Sequence, residues 1–355
     1  MRFVTAKSLK TGMIVGRNFY NNSMCIMLRK GVVLTDSYIN AIRRVNISGL
    51  YIDDIETRDI IIKPLIDEDL KLKFAAEVKN IFSSIQTMVK PETGVIESII
   101  GTITDQISKK TDHVVSMFDL KSFDDYTFQH SIDVCLLAAV TGKAFNLSPH
   151  LLNQLALSAV YHDIGKMYVN PKIINKNGPL NEAENNEMRI HPQKGFDYMK
   201  KLGITRNDVL NGIFQHHERY DGTGYPQGLA GDDISYFAKI IALTDVFDAI
   251  TSKRPYYEEA MLPSDAVEFI MALGGRHFDL ELTNVFIKNI SAYPVGLTIK
   301  LSNGMVGVVA ENYPGYTLRP LVKVLPKKEE GSHPFFISLK SDRDAQNITI
   351  TEVVR

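Results

Sequence analysis

The chain has 355 residues, enough for two or three domains with complete cores. Its 40 basic and 41 acidic residues leave a formal net charge of −1, which excludes a general electrostatic grip on nucleic acid polymers or anionic lipid. Two distant cysteines, Cys25 and Cys135, exclude a disulfide framework and a thiolate metal site.

Residues 1–60 mix short alternating runs at 12–15, 23–28 and 32–34 with a helical patch at 37–45 and a strand at 50–52, a small α+β module. Residues 61–118 change to helical spacing. Phe74, Val78, Ile81, Ile85 and Met88 recur at steps of four and three, Pro91 and Gly94 stop the helix, and Ile96, Ile100, Ile103, Ile107, Val114 and Met117 continue the pattern with Lys110 in one seam position. This helical pair is a connector that packs on the next domain or joins two copies into a homodimer through residues 67–117; two short seams leave both open. Residues 119–290 are helical, with turns at Asn177, Gly178 and Pro179 and at 221–224. Residues 291–355 alternate with period two around the Asn303-Gly304 turn, with further strands at 321–325, 335–339 and 348–354, a small β segment. The fold class expected is therefore mainly α. No apolar stretch approaches the roughly 18 to 20 residues that span a bilayer, and residues 1–10 lack the apolar run of a signal peptide, so a cytoplasmic protein without a membrane span is expected.

The helical part contains His130, His162, His191, His216 and His217 among the chain's nine histidines. Any one alone reads as an ordinary hydrogen-bonded imidazole. The set reads differently, because His162 and Asp163 end an apolar helix at 151–160, and an apolar helix at 240–250 carries Asp245 and Asp248 three apart. Buried imidazoles and carboxylates are costly unless a partner or a cation satisfies them. Asp248 has an alternative in an ion pair with Lys253 or Arg254. Nitrogen and oxygen donors without thiolate suit iron, manganese, zinc or nickel. The donors are too many for one ion, and two ions bridged by a carboxylate are the arrangement that activates water for phosphoester displacement. Lys166, one turn after His162 and Asp163, can steady a phosphate or simply end a helix on the surface.

His162-Asp163-Ile164-Gly165-Lys166 resembles the HD-x-GK signature of metal-dependent phosphohydrolases, and residues 216–226, His-His-Glu-Arg-Tyr-Asp-Gly-Thr-Gly-Tyr-Pro, resemble the complete HHExxDGxGYP signature of the HD-GYP family. His130, His191-Pro192 and Asp245 follow in the family's order. The resemblance spans about residues 121–280. It implies an HD-type helical domain at 119–290 that hydrolyses cyclic di-GMP to the linear dinucleotide or to GMP. It also implies two divalent transition metal ions, iron or manganese first. His130, His162, Asp163 and Asp245 would hold one and Asp163, His191, His216 and His217 the other, with Asp163 as the bridging catalytic carboxylate. Lys166 would contact the scissile phosphate, Arg254 would grip a phosphate, and Tyr225 would stack on a base. Glu218, Asp221 and Asp248 would orient ligands or turn backbone. Tyr126 stands where some members place a glutamate for a third metal, and Tyr257 where a second basic residue is usual. The latter permits a hybrid cyclic GMP-AMP or another nucleotide as substrate, and a nucleotide-binding adaptor with little activity is the non-enzymatic alternative. The GYP loop would frame the substrate entrance or a protein partner surface.

Overall fold

The computed structural model describes residues 1–20, 25–44, 49–86, 93–110, 114–115, 126–176, 178–252, 260–325 and 333–354. Arg254, with Lys253 and Tyr257, lies outside them, as do Met88, Pro91, Met117 and Asn177. The chain forms two compact units: Met1–Pro64, Asp112–Asp124 and Ile290–Arg355 make one, and Leu65–Thr111 with Asp125–Asn289 the other.

The first unit holds strands β1 (Arg2–Thr5), β2 (Ile14–Val15), β3 (Phe19–Tyr20) and β4 (Ile26–Leu28), helix α1 (Asp36–Arg44) and strand β5 (Gly49–Asp53). β5 runs between β1 and β2, antiparallel to both. Ile39 and Ile42 on one face of α1 join Val4, Leu34, Leu50 and Ile52 in a core. The same unit contains β6 (Thr298–Leu301), β7 (Val306–Glu311), β8 (Leu321–Leu325), β9 (Phe335–Ser338) and β10 (Ile350–Val353), an antiparallel sheet in the order β10-β6-β7-β8-β9. Its β6–β7 turn puts Gly304 at φ +83°, a conformation open to glycine at no steric cost. Leu297, Ile299, Leu301, Val309 and Val322 form its core. The Phe3 N–H donates to the Gly296 carbonyl at 2.8 Å, and Lys323 pairs with Asp59 at 2.6 Å, so the terminal segments are bonded to each other.

The second unit is helical: α2 (Glu68–Gln86), α3 (Thr93–Lys109), α4 (Tyr126–Ala144), α5 (Pro149–Tyr161), α6 (Pro171–Ile174), α7 (Glu182–Met188), α8 (His191–Lys201), α9 (Asn207–Gln215), α10 (Tyr236–Thr251), α11 (Pro263–Leu273) and α12 (Leu280–Asn289). Helix starts follow local chemistry. Ser148 caps α5 with Pro149 in the first turn, Asn181 and Glu184 make a reciprocal capping box on α7, and Ser235 caps α10. α4 is buried along nearly its whole length, consistent with a central position among helices. The seam residues Phe74, Val78 and Ile81 of α2 and Ile96, Ile100, Ile103 and Ile107 of α3 are buried in this unit. The sequence reading carries the second seam on to Val114, whereas α3 stops at Lys109. The Lys143 ammonium, on α4, donates to the carbonyls of Ile107 and Lys110, filling acceptors that the end of a helix leaves open. Val115 instead makes a parallel bridge with Ile290. Among the described residues no helix is long and apolar enough to cross a membrane.

Candidate metal centre

Three helix ends and two helix interiors converge. α4 supplies His130 from its second turn, the end of α5 supplies His162 and then Asp163, the start of α8 supplies His191, the residues after α9 supply His216 and His217, and α10 supplies Asp245 and Asp248. Two close approaches bring them together. A Cβ on Gly165 would lie 1.9 Å from the His191 carbonyl oxygen, so only glycine lets the turn after Asp163 reach the start of α8. A Cβ on Gly212 would lie 2.2 Å from Ser158 Oγ, so the α9 backbone sits directly against the Ser158 side chain of α5, and that hydroxyl donates to the Val209 carbonyl at 2.8 Å.

Three of the imidazoles are oriented by one device. Nδ1 of His162 meets the Ala159 carbonyl at 2.7 Å, Nδ1 of His191 the Met188 carbonyl at 2.8 Å and Nδ1 of His216 the Ile213 carbonyl at 2.7 Å. Each ring takes the carbonyl three residues earlier, at the end of α5, α7 or α9, where helical acceptors lack partners. With Nδ1–H donating, each Nε2 carries a lone pair toward the centre. His130 is held differently: its Nδ1 lies 2.6 Å from Asp248 Oδ2, and Asp248 also accepts from the Ser252 hydroxyl at 3.1 Å. Asp248 therefore orients an imidazole.

Asp163 stands between two groups. Its Oδ1 is 3.3 Å from His191 Nε2 and 3.8 Å from His216 Nε2, while its Oδ2 is 3.4 Å from His162 Nε2 and 3.6 Å from His130 Nε2. Asp245 Oδ1 lies 3.0 Å from His130 Nε2. Donor atoms of Asp163, His191, His216 and His217 fall within 4.8 Å of one another, as do those of His130, His162 and Asp245. Either group could hold a metal ion.

Charge and solvation agree with a cation there. Burial pushes His191 down to about 3 and His217 to about 4, and burial with the neighbouring His217 holds His216 well below its ordinary value, so these three rings are neutral near pH 7. Burial works against a proton on His130, yet Asp245 and Asp248 outweigh it and raise that ring to about 9. The same two carboxylates would favour a cation at Nε2. Burial opposes the charge on Asp163, but Lys166 and His162 bring it well below the usual carboxylate range; Asp245 is lowered despite burial by His130. Nε2 of His162 and Oδ1 of Asp163 are buried without a hydrogen-bond partner. Nε2 of His191 and His216 stand 3.2 Å apart, two lone pairs facing each other. Such atoms are costly alone, and a cation in each donor group would satisfy them. The donor set fits a divalent metal with imidazole and carboxylate preference.

The remaining expected residues sit around these groups. Lys166, in the 3-10 turn Ile164–Tyr168, bonds Asp163 Oδ2 through its ammonium. Glu218 is buried and takes the backbone N–H groups of Gln227 at 2.7 Å and Leu229 at 3.1 Å, so its carboxylate ties the loop at 221–229 to the end of α9. Asp221 accepts from the Thr223 N–H at 3.0 Å and its hydroxyl at 2.6 Å, forming the turn. The Tyr225 ring stacks on His217, with centroids 4.7 Å apart and planes at 25°. The glycine of the HD-x-GK pattern marks the close approach at Gly165, whereas Ser252, which supports Asp248, carries no sequence signal.

A protein-family model described as HD domain matches residues 103–282, half of the chain. The chain is 35% identical over 249 residues to a cyclic di-GMP phosphodiesterase of Pseudomonas aeruginosa, covering 70% of this chain and 60% of the relative. It is 31% identical over 203 residues to a 3'3'-cGAMP-specific phosphodiesterase of Vibrio cholerae, covering 57% and 46%. The chain thus spans less than two thirds of the length of either relative. The solved HDG"Y"P protein of Bdellovibrio bacteriovorus superposes with a TM-score of 0.50 at 16% identity over 80% of this chain and 97% of that one, a likeness of fold. With the His-Asp pair of α5, the helical frame around it and the HHExxDGxGYP loop on one unit, the chain belongs to the HD domain family, in its HD-GYP branch.

Proposed function

We propose that the chain is a metal-dependent phosphodiesterase that hydrolyses cyclic di-GMP to the linear dinucleotide or GMP. The observation that carries this reading is Asp163, a buried carboxylate with one oxygen toward His191 and His216 and the other toward His162 and His130. In this reading His130, His162, Asp163 and Asp245 hold one divalent ion, and Asp163, His191, His216 and His217 hold a second, with iron or manganese the best match to the donors. Bound there, the ions would supply Lewis acidity that activates water and neutralises charge on the phosphoryl oxygens.

The chain's own groups do the rest. Asp248 and the carbonyls of Ala159, Met188 and Ile213 fix the four imidazoles, so no reorganisation is needed when substrate arrives. Lys166 rests on Asp163, and in this reading it would steady the scissile phosphate. Glu218 holds the GYP loop in place beside His217. Arg254 and Tyr225 complete the proposed substrate contacts. A homodimer through residues 67–117 would use the outward faces of α2 and α3, because their seams are buried. A protein partner would meet the GYP loop from its solvent side.

A cyclic GMP-AMP hydrolase is the second reading, favoured by the similarity to the Vibrio enzyme and by Tyr257 where a basic residue is usual. Anaerobically purified protein, metal counted per chain, is given each cyclic dinucleotide. Near two ions per chain and hydrolysis of cyclic di-GMP are expected, and the nucleotide with the higher kcat/KM decides between the readings. If neither is cut by metal-loaded protein, both fail. If His162→Ala with Asp163→Ala abolishes hydrolysis but leaves the cellular output intact, an adaptor role gains.

A further inference from the structure

Tyr225 has a second neighbour. While His217 stacks on its ring, the Arg189 guanidinium carbon stands over the ring at 5.1 Å from the centroid. A chain of contacts therefore leads from an imidazole of one His/Asp group, through an aromatic ring, to an exposed cation. The backbone of Arg189 is fixed as well: it closes α7, its N–H donates to the Asn185 carbonyl at 2.9 Å, and it lies two residues before His191.

Among the described residues no carboxylate pairs with Arg189. Two other arginines of the unit are engaged, Arg206 with Glu97 at 2.9 Å and Arg276 with Asp221 at 3.7 Å. The nearby acid Glu187 is occupied, accepting from the Asn170 N–H at 2.9 Å. A guanidinium resting on a ring keeps in-plane N–H donors for a bidentate anion, which an ammonium cannot match in geometry.

A cyclic dinucleotide carries two phosphodiesters on opposite sides of one macrocycle, and only one is cut at a time. Lys166 on Asp163 serves the phosphate at the His/Asp groups, and the other anion must be met elsewhere. Resting on the phosphodiesterase reading above, we propose that Arg189, held on the Tyr225 ring, binds the second, uncut phosphate of a cyclic dinucleotide. Arg189 is then a substrate-binding residue that selects for a ligand with two phosphates. It acts before bond cleavage, so it governs binding more than the chemical step.

The test compares wild type, Arg189→Ala and Arg189→Lys, all loaded with manganese and counted for metal per chain. Each is given cyclic di-GMP and bis(p-nitrophenyl) phosphate, a diester with one phosphate. Loss of one charge-assisted contact is expected to raise KM for cyclic di-GMP roughly 10- to 100-fold in Arg189→Ala, with little change in kcat. Discrimination between the two substrates falls by a similar factor, metal content stays at the wild-type level, and Arg189→Lys recovers part of the loss. An unchanged KM overturns the assignment. So does an equal loss on both substrates with reduced metal content, which would make Arg189 a prop for Tyr225 and His217. Wild type that cuts the simple diester and no cyclic dinucleotide sinks the cyclic-dinucleotide reading itself, whereas active wild type with an indifferent Arg189→Ala sinks only this inference. Arg189 is exposed, so its truncation leaves no cavity to unfold the domain.

Discussion

Asp248 is buried, three residues after Asp245 on the same helix, yet the two carboxylates have different neighbours. Asp245 faces His130 Nε2, the nitrogen turned to the centre, while Asp248 holds Nδ1 of the same ring from behind. Replacing such a supporting carboxylate leaves the donor set complete but lets the imidazole turn. Asp248→Asn is therefore expected to weaken metal binding roughly 10- to 100-fold, with the folded structure retained. Titration of metal-free protein with manganese, followed by calorimetry, checks this; wild-type affinity would show that Asp248 does not govern the ring. Gly165 makes the opposite kind of prediction. A methyl group there would meet a backbone oxygen, which cannot rotate away, so Gly165→Ala is expected to cost about 1–3 kcal/mol and to separate His191 from Asp163. A denaturation midpoint equal to wild type would contradict it.

Helices in this unit end where the site begins. The final carbonyls of α5, α7 and α9 accept from imidazoles, and those of α3 accept from Lys143. For His162, His191, His216 and His217 helix termination and site construction are thus one structural event, while His130 and the carboxylates of α10 come from helix interiors. The loop after α9 depends on Glu218 in the same way, since one carboxylate takes two loop N–H groups. Glu218→Gln keeps the shape but offers one acceptor oxygen instead of two. Activity is expected to fall about tenfold, with the metal count retained, as the loop loses one charge-assisted bond. Kinetics on metal-counted protein would expose an error in this account by showing unaltered turnover.

Across the whole chain, the four segments read from the sequence fall into two compact units, the first assembled from both termini and the second holding the helical pair with the HD helices. In the first unit Asp54 joins the start and end of the α+β module. Burial would raise its carboxyl, but hydrogen bonds from Arg2 and Thr57 outweigh that and lower it. A depressed folded-state value contributes stability above the ordinary carboxylate range and loses it as pH falls through the folded value. Asp54→Asn should lower the denaturation midpoint at pH 7 and approach wild type in acid. An equal deficit at both pH values would remove Asp54 from the acid response.

The donor set of the site is legible in the residue order, because the two motifs and the step-of-three carboxylates are local patterns that neighbours in the chain suffice to write. That order also placed strands at 321–325 and the seams of α2 and α3, since alternation and helical spacing record which face is buried. Which atom of each residue meets which partner follows from packing. That Asp248 meets His130 across 118 positions, that Asp163 divides its oxygens between two imidazole groups, that Glu218 binds loop backbone, and that α3 stops at Lys109 against Lys143 all depend on helices distant in sequence. Local spacing sets the direction of a side chain from its own backbone; what waits at the end of it is set by packing.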